Sequence, residues 1–113
     1  MNRDVSKGDV PALILAVLSA GPCHGYAIAR EIERRSQKVF HLREGSLYPA
    51  LRVLEQDGLI EGKWELQASG PARKTYVITE AGRVSLARRT QAWKTYAEAI
   101  DALLGGKTDA QTA

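Results

Sequence analysis

Apolar side chains recur at Val10, Leu13, Ile14, Val17 and Leu18, the i, i+3, i+4, i+7, i+8 rhythm of a helix with one buried stripe. Asp9-Val10-Pro11 reads as its start, because a proline in the first turn gives up only an amide that has no intrahelical partner, and Gly21-Pro22 ends it. After Cys23-His24-Gly25 a shorter pattern sets Ile28, Ala29 and Ile32 against Arg30, Glu33 and Arg34, which predicts a second helix. Val39 to Arg43 is short and bulky and predicts a small strand. In the stretch GSLYPALRVLEQDGLIE, Gly45 to Glu61, the stripe is Leu47, Ala50, Leu51 and Leu54, with Pro49, Arg52, Val53 and Gln56 on the opposite face and Ser46 and Tyr48 at the leading end. A proline is tolerated only where its missing amide costs nothing, so Pro49 predicts a third helix starting at about Ser46, with the Ser46 hydroxyl as N-cap and Asp57-Gly58 as the stop.

The period then changes to two. Over Leu59 to Leu66, Ile60, Trp64 and Leu66 fall on one face and Glu61, Lys63 and Glu65 on the other; Lys74 to Thr79 repeats the alternation with Tyr76 and Ile78. This predicts two strands in which Trp64 belongs to the core. Between them Gln67 to Arg73 is rich in turn formers and too long for a two-residue hairpin, so the strands carry a projecting loop. Thr79 suits the N-cap of a last helix from about Glu80 to Leu104, long enough to span roughly 37 Å and to overhang a small domain. Its apolar side chains Leu86, Trp93 and Ile100 lie seven apart, with Tyr96 and Leu103 in the intermediate seam and Arg89 interrupting it once, the pattern of a helix that pairs with another. Residues 105–113 are expected to be a disordered tail, and no internal repeat is visible. The fold class predicted is mainly α with a small β-hairpin, divided into a domain over 1–79 and a helix over 80–104.

Composition narrows the function classes. The chain has 113 residues, enough for one small domain with a modest core that a dimer would enlarge, and 44% hydrophobic with 26% charged residues is ordinary globular composition. No apolar run reaches the roughly 20 residues of a bilayer span and the first residues lack a signal-peptide core, so a cytoplasmic location is expected. The single Cys23 cannot form an internal disulfide, and with only His24 and His41 beside it no zinc-ligand spacing can be built; no metal and no cofactor is expected. Neither an acid–base constellation nor a glycine-rich phosphate loop is present, which argues against an enzyme. The net charge of +3 permits a polyanionic partner without demanding one, so the position of the basic residues has to decide.

Helix, helix, helix, strand, loop, strand is the order of a winged helix-turn-helix, whose third helix leads with its N-terminal residues into the major groove of double-stranded DNA while the loop touches neighbouring phosphates. Ser46 and Tyr48 carry hydroxyls for such contacts, Arg52 is a long fork one turn on, and Arg73 and Lys74 lie on the wing. An exposed arginine is usually no more than solvated surface, and winged helices also serve as protein-interaction modules without specific DNA affinity. The conjunction of a proline-marked helix, a basic hairpin and a long pairing helix favours DNA.

HGYAIAREIE (24 to 33), GSLYPALRVLEQDGLIE (45 to 61) and GPARKTYVITEAGR (70 to 83) resemble, in order and spacing, the three signature blocks of PadR-like transcriptional regulators. The resemblance implies a homodimeric repressor of the short subclass with a single C-terminal helix. By carry-over Ser46, Tyr48, Pro49 and Arg52 become the contacts of the third helix and Arg73 and Lys74 those of the wing. Leu86, Trp93, Tyr96, Ile100 and Leu103 become the dimer interface. In some short members that resemble this chain, tryptophans of both protomers stack a flat aromatic effector, so Trp93 is read either as dimer core or as such a site. His24 and Tyr26 are read as a structural turn and core packing. Thr75 departs from the second aromatic that often follows the Arg-Lys pair.

Overall fold

The computed structural model describes residues 3–105, so all of the tail expected over 105–113 except Gly105 lies outside the described residues. Pro11 stands in the first turn of α1 (Val10–Ser19), as its chemistry requires, and α1 runs through the middle of the molecule with Ile14 and Leu15 fully buried. Leu15 joins a stripe in which Val10, Ile14, Val17 and Leu18 are also buried and Leu13 is half-buried. Around it pack α2 (Gly25–Arg35), α3 (Glu44–Gln56) and α4 (Glu80–Leu103). The core closes with Ile28 and Ile32 from α2, Leu47, Leu51 and Leu54 from α3, and Ile60 and Tyr76 from the hairpin. Burying such side chains contributes about 1.5 to 3 kcal/mol each.

Among the described residues five strands complete the fold. β1 (Arg3–Asp4) pairs in parallel with β3 (Phe40–His41), and β2 (Cys23–His24), β5 (Arg73–Ile78) and β4 (Ile60–Glu65) form an antiparallel sheet in the order β2-β5-β4. The β3 pairing ties the turn between α2 and α3 to the chain's beginning. Within that turn Gln37 and Lys38 both take left-handed backbone angles (φ 55° and 66°), and the Lys38 amide donates to the Glu33 carbonyl at 2.8 Å to close α2. The Ser36 hydroxyl fixes the exit, accepting from the Phe40 amide and donating to the Glu33 carbonyl.

α3 starts two residues earlier than its proline suggests. Arg43 is the N-cap, in extended conformation and without a side-chain cap bond, and the amides of Ser46 and Leu47 both donate to the Arg43 carbonyl at 2.9 Å. Ser46 is therefore inside the helix rather than capping it, and Pro49 is the sixth helical residue. The carbonyl that Pro49 leaves without a partner belongs to Gly45, which is exposed in the first turn and carries no side chain to keep water away.

β4 and β5 face each other from Ile60↔Ile78 to Glu65↔Arg73, with Trp64 opposite Lys74. The alternation is as expected, but Trp64 is 70% exposed and Leu66 94%, so neither is core. Ile60, Tyr76 and Ile78, at the base of the hairpin, lie on the body, while Trp64, Glu65 and Leu66 farther out are exposed. Tyr26, expected to pack inside, is likewise exposed, with the Arg30 guanidinium 5.5 Å from its ring.

One residue joins the wing to α4. The Thr79 hydroxyl accepts from the Gly82 amide at 3.0 Å as an N-cap and donates to the Gly58 carbonyl at 2.7 Å, while the Thr79 amide donates to the Leu59 carbonyl at 3.1 Å. Gly82 lies against the Leu59 carbonyl so closely that a Cβ there would overlap it. The first turns of α4 pack on α1, burying Gly82 and Ser85 and half-burying Leu86. Beyond them Trp93, Tyr96, Ile100 and Leu103 are exposed, and the molecule measures 63 × 32 × 21 Å. No described helix is long and apolar enough to cross a membrane.

Candidate nucleic-acid interface

The outward face of α3 carries Pro49, Arg52, Val53 and Gln56, all exposed, because the leucines at 47, 51 and 54 turn the opposite side into the core. Tyr48 lies between these faces at 40% exposure, and Ser46 is half-buried at the leading end. The Tyr48 ring runs across the start of α2. Its Cε1 comes within 3.0 Å of where a Cβ on Gly25 would stand, so Gly25 is the residue that lets the ring lie there.

Between α3, the start of α2 and the wing is an open cleft of about 450 Å³, walled by Tyr26, Tyr48, Trp64 and Tyr76 and carrying Arg52 and Arg73. Its floor is held by Lys74. The Lys74 ammonium is 3.1 Å from Glu55 Oε1, 5.7 Å from the centre of the Trp64 ring and 5.4 Å from that of Tyr76. The lysine stem crosses directly over Gly62, where any Cβ would overlap Lys74 Cε. Burial raises the Tyr76 phenol above its ordinary pKa, with the neighbouring Lys74 acting the other way. Arg73, one residue before, points to the other side of the strand and is exposed.

Six expected DNA contacts therefore occupy four settings. Tyr48, Pro49 and Arg52 share the exposed surface of α3, Arg73 stands on the wing, and Ser46 is partly covered. Lys74, expected as a free wing cation, is engaged by Glu55 across the cleft. The sequence reading missed Trp64 and Tyr26 as walls of this cleft. Gly62, a small residue on the Trp64 face of β4, was the signal available, since it marks where a long side chain crosses the sheet.

Elsewhere, His24 Nε2 lies 3.8 Å from Glu65 Oε1, beyond hydrogen-bond reach, and Nε2 and Thr75 Oγ1 are buried atoms without a hydrogen-bond partner among the described residues. Cys23 is half-buried, and burial raises its thiol above the ordinary value. On α2 the Glu31 carboxylate accepts from Arg34 at 2.7 and 2.8 Å and from Arg35 at 3.0 Å, which holds its pKa down at about 2. Among the described residues no group of three His, Cys, Asp or Glu is placed to hold a metal ion.

On α4 the Trp93 and Tyr96 rings lie 5.7 Å apart at 33°, both largely exposed, with Ile100 and Leu103 further along. Leu86 instead packs on the core of its own chain.

Comparison with known proteins agrees with this geometry. Residues 14–88 match the transcriptional regulator PadR-like family. A transcriptional regulator of Mycobacterium tuberculosis is 31% identical over 106 residues, 94% of this chain and 92% of that protein. The crystal structure of a Streptococcus mutans protein superposes with a TM-score of 0.79 at 30% identity, covering 96% of this chain and 98% of that one. A PadR family transcription regulator from Clostridium difficile gives a TM-score of 0.75 at 32% identity, covering 86% and 99%. With a winged helix-turn-helix whose third helix is exposed beside a basic hairpin, this chain belongs to the PadR-like family of transcriptional regulators.

Proposed function

We propose that the protein is a homodimeric repressor that binds a palindromic operator through two copies of α3. The observation that carries this reading is the exposed α3 face, where Tyr48, Pro49 and Arg52 stand together beside an Arg73-bearing wing. Two α3 helices about 34 to 36 Å apart reach successive major grooves on one side of the duplex. Arg52 has the fork that matches the two acceptors of guanine, and the hydroxyls of Ser46 and Tyr48 suit phosphate or base edges. Arg73 supplies the wing's phosphate contact. Lys74, already paired with Glu55, holds the wing against α3 and serves the contact from behind. Blocking polymerase at such a site needs no chemistry beyond binding.

The exposed Trp93, Tyr96, Ile100 and Leu103 support pairing of α4 with its copy, since such a row of large apolar side chains on one helix is a surface that association buries. A flat aromatic effector stacked on Trp93 at that seam would release the operator by favouring a different spacing of the two α3 helices, and it can do so only by its differential affinity for the two spacings.

The test is a gel shift of DNA from the chain's own upstream region against random duplex of equal length, across a salt series. Binding that falls steeply with salt and prefers the upstream DNA is expected. Arg73→Ala, which removes one phosphate contact from each protomer, should weaken both duplexes and flatten the salt slope by about 2, whereas Arg52→Ala should chiefly relax the preference. Absence of affinity for either duplex would refute the reading and favour a protein-interaction module.

A further inference from the structure

A tryptophan 70% exposed on a projecting strand, with a lysine ammonium near its ring, serves neither the core nor the hairpin turn. Trp64 does share the cleft with Tyr26, Tyr48, Arg52 and Arg73. Wherever α3 lies in the major groove and the wing touches a flanking phosphate, one strand of the duplex has to pass between them, and the cleft occupies that space. Resting on the DNA-binding reading above, we propose that this cleft seats one sugar–phosphate strand, with the Trp64 indole packed against a deoxyribose between phosphates held by Arg52 and Arg73.

Three features fit that occupant. Charge is complementary: Lys74 is neutralised by Glu55, which leaves two arginines as the cationic groups of the cleft lining, Arg52 on α3 and the exposed Arg73 at the outer end of β5. Shape is that of a trough. Its walls Trp64 and Tyr26 are both more than half exposed, whereas a pocket for a small molecule surrounds most of its ligand. The chemistry alternates as the strand does, since the carbon-rich face of deoxyribose meets an aromatic ring and the phosphates on either side meet guanidinium groups. Gly62 leaves room for the Lys74 stem to cross the sheet, which brings its ammonium 5.7 Å from the centre of the indole.

Such a contact is apolar and blind to sequence, which gives it a signature distinct from that of a basic residue. Trp64→Ala should weaken binding about three- to tenfold, equally on upstream and random duplex, with the salt slope unchanged because no phosphate charge is lost. Trp64→Tyr, which keeps an aromatic face, should stay within about twofold of the original. The thermal midpoint and the mass by light scattering should be the same for all three proteins. Undiminished affinity of Trp64→Ala on both duplexes would overturn the inference while leaving the regulator reading intact. A fall accompanied by a flatter salt slope would overturn it too, by assigning Trp64 to the support of the cations, and a changed mass would assign the ring to a partner protomer. If the unaltered protein binds neither duplex, both readings fail together.

Discussion

Replacing Gly82 with alanine puts one methyl group where the Leu59 carbonyl stands. The added Cβ would overlap the Leu59 oxygen, come within 3.1 Å of its carbon and lie 2.7 Å from Ile78 Cγ1. The carbonyl is not free to swing away, because it accepts the Thr79 amide at 3.1 Å, and Thr79 in turn caps α4 and bonds to Gly58. Overpacking of this kind typically costs 1 to 3 kcal/mol, and a backbone obstacle fixed by its own hydrogen bond places the cost near ~3 kcal/mol. Alanine's higher helix propensity returns about 1 kcal/mol. The net loss of about 2 kcal/mol should lower the thermal midpoint by roughly 8 to 16 °C in a domain of this size. Circular dichroism melts at one fixed protein concentration read this directly, the fixed concentration being needed because self-association would itself move the midpoint. Gly45→Ala, also in the first turn of a helix but with nothing within 4 Å of its Cβ site, is the matched control and should melt at the same temperature or slightly higher. A Gly82→Ala protein as stable as the original would refute the account of the wing-to-helix joint.

Pro49→Ala restores an amide that can donate to the Gly45 carbonyl and should raise the thermal midpoint by a few degrees, the gain in helix stability exceeding the roughly 1 kcal/mol that proline saves in the unfolded chain. An unchanged or lower midpoint would show that α3 already accommodates the ring at no cost. Ile100→Asp puts a charge on the exposed far half of α4 and should halve the mass seen by light scattering while leaving the fold intact; a mass that stays at the dimer value would move the interface elsewhere. Glu31 sets a pH dependence of known sign. Its folded carboxyl titrates at about 2 against an ordinary value of 4.5, so its contribution is complete above pH 4.5 and is lost as pH falls towards 2. The stability difference between the original and Glu31→Gln should therefore shrink over that window, and a difference constant from pH 7 to pH 2 would contradict the Arg34 and Arg35 bonding.

The helices were legible because each buries one stripe, and a stripe leaves a period in the sequence. The α3 leucines and Ile14 and Leu18 of α1 lie where that period puts them, Leu15 being buried in addition, and Thr79 caps α4 as its chemistry predicts. Period two told equally well which face of β4 Trp64 occupies. It carried no information on whether anything covers that face, since cover depends on tertiary packing: Ile60 is held against the core, whereas Trp64 faces an open cleft. The start of α3 was misjudged because the proline rule assumes that an unpaired carbonyl is costly; the Gly45 carbonyl lies in an exposed first turn, open to solvent. The pairing of β1 with β3 joins two-residue strands some 37 positions apart and leaves no local pattern. Lys74 was legible as a cation and as part of the wing, but its engagement with Glu55 depends on a contact between residues 19 apart.

No flexible linker intervenes between the hairpin and the long helix: β5 ends at Ile78, Thr79 is bonded at both its amide and its hydroxyl, and α4 begins at Glu80. The hairpin and the helix thus behave as the two arms of one crank. A helix of this length is about 36 Å long, so a tilt of some 5° about the Thr79 pivot displaces its far tip by roughly 3 Å. Run in reverse, a sideways push on the distal end, where Trp93 to Leu103 lie bare, is carried to Thr79 and to the packing of the first α4 turns on α1 with no loop to absorb it.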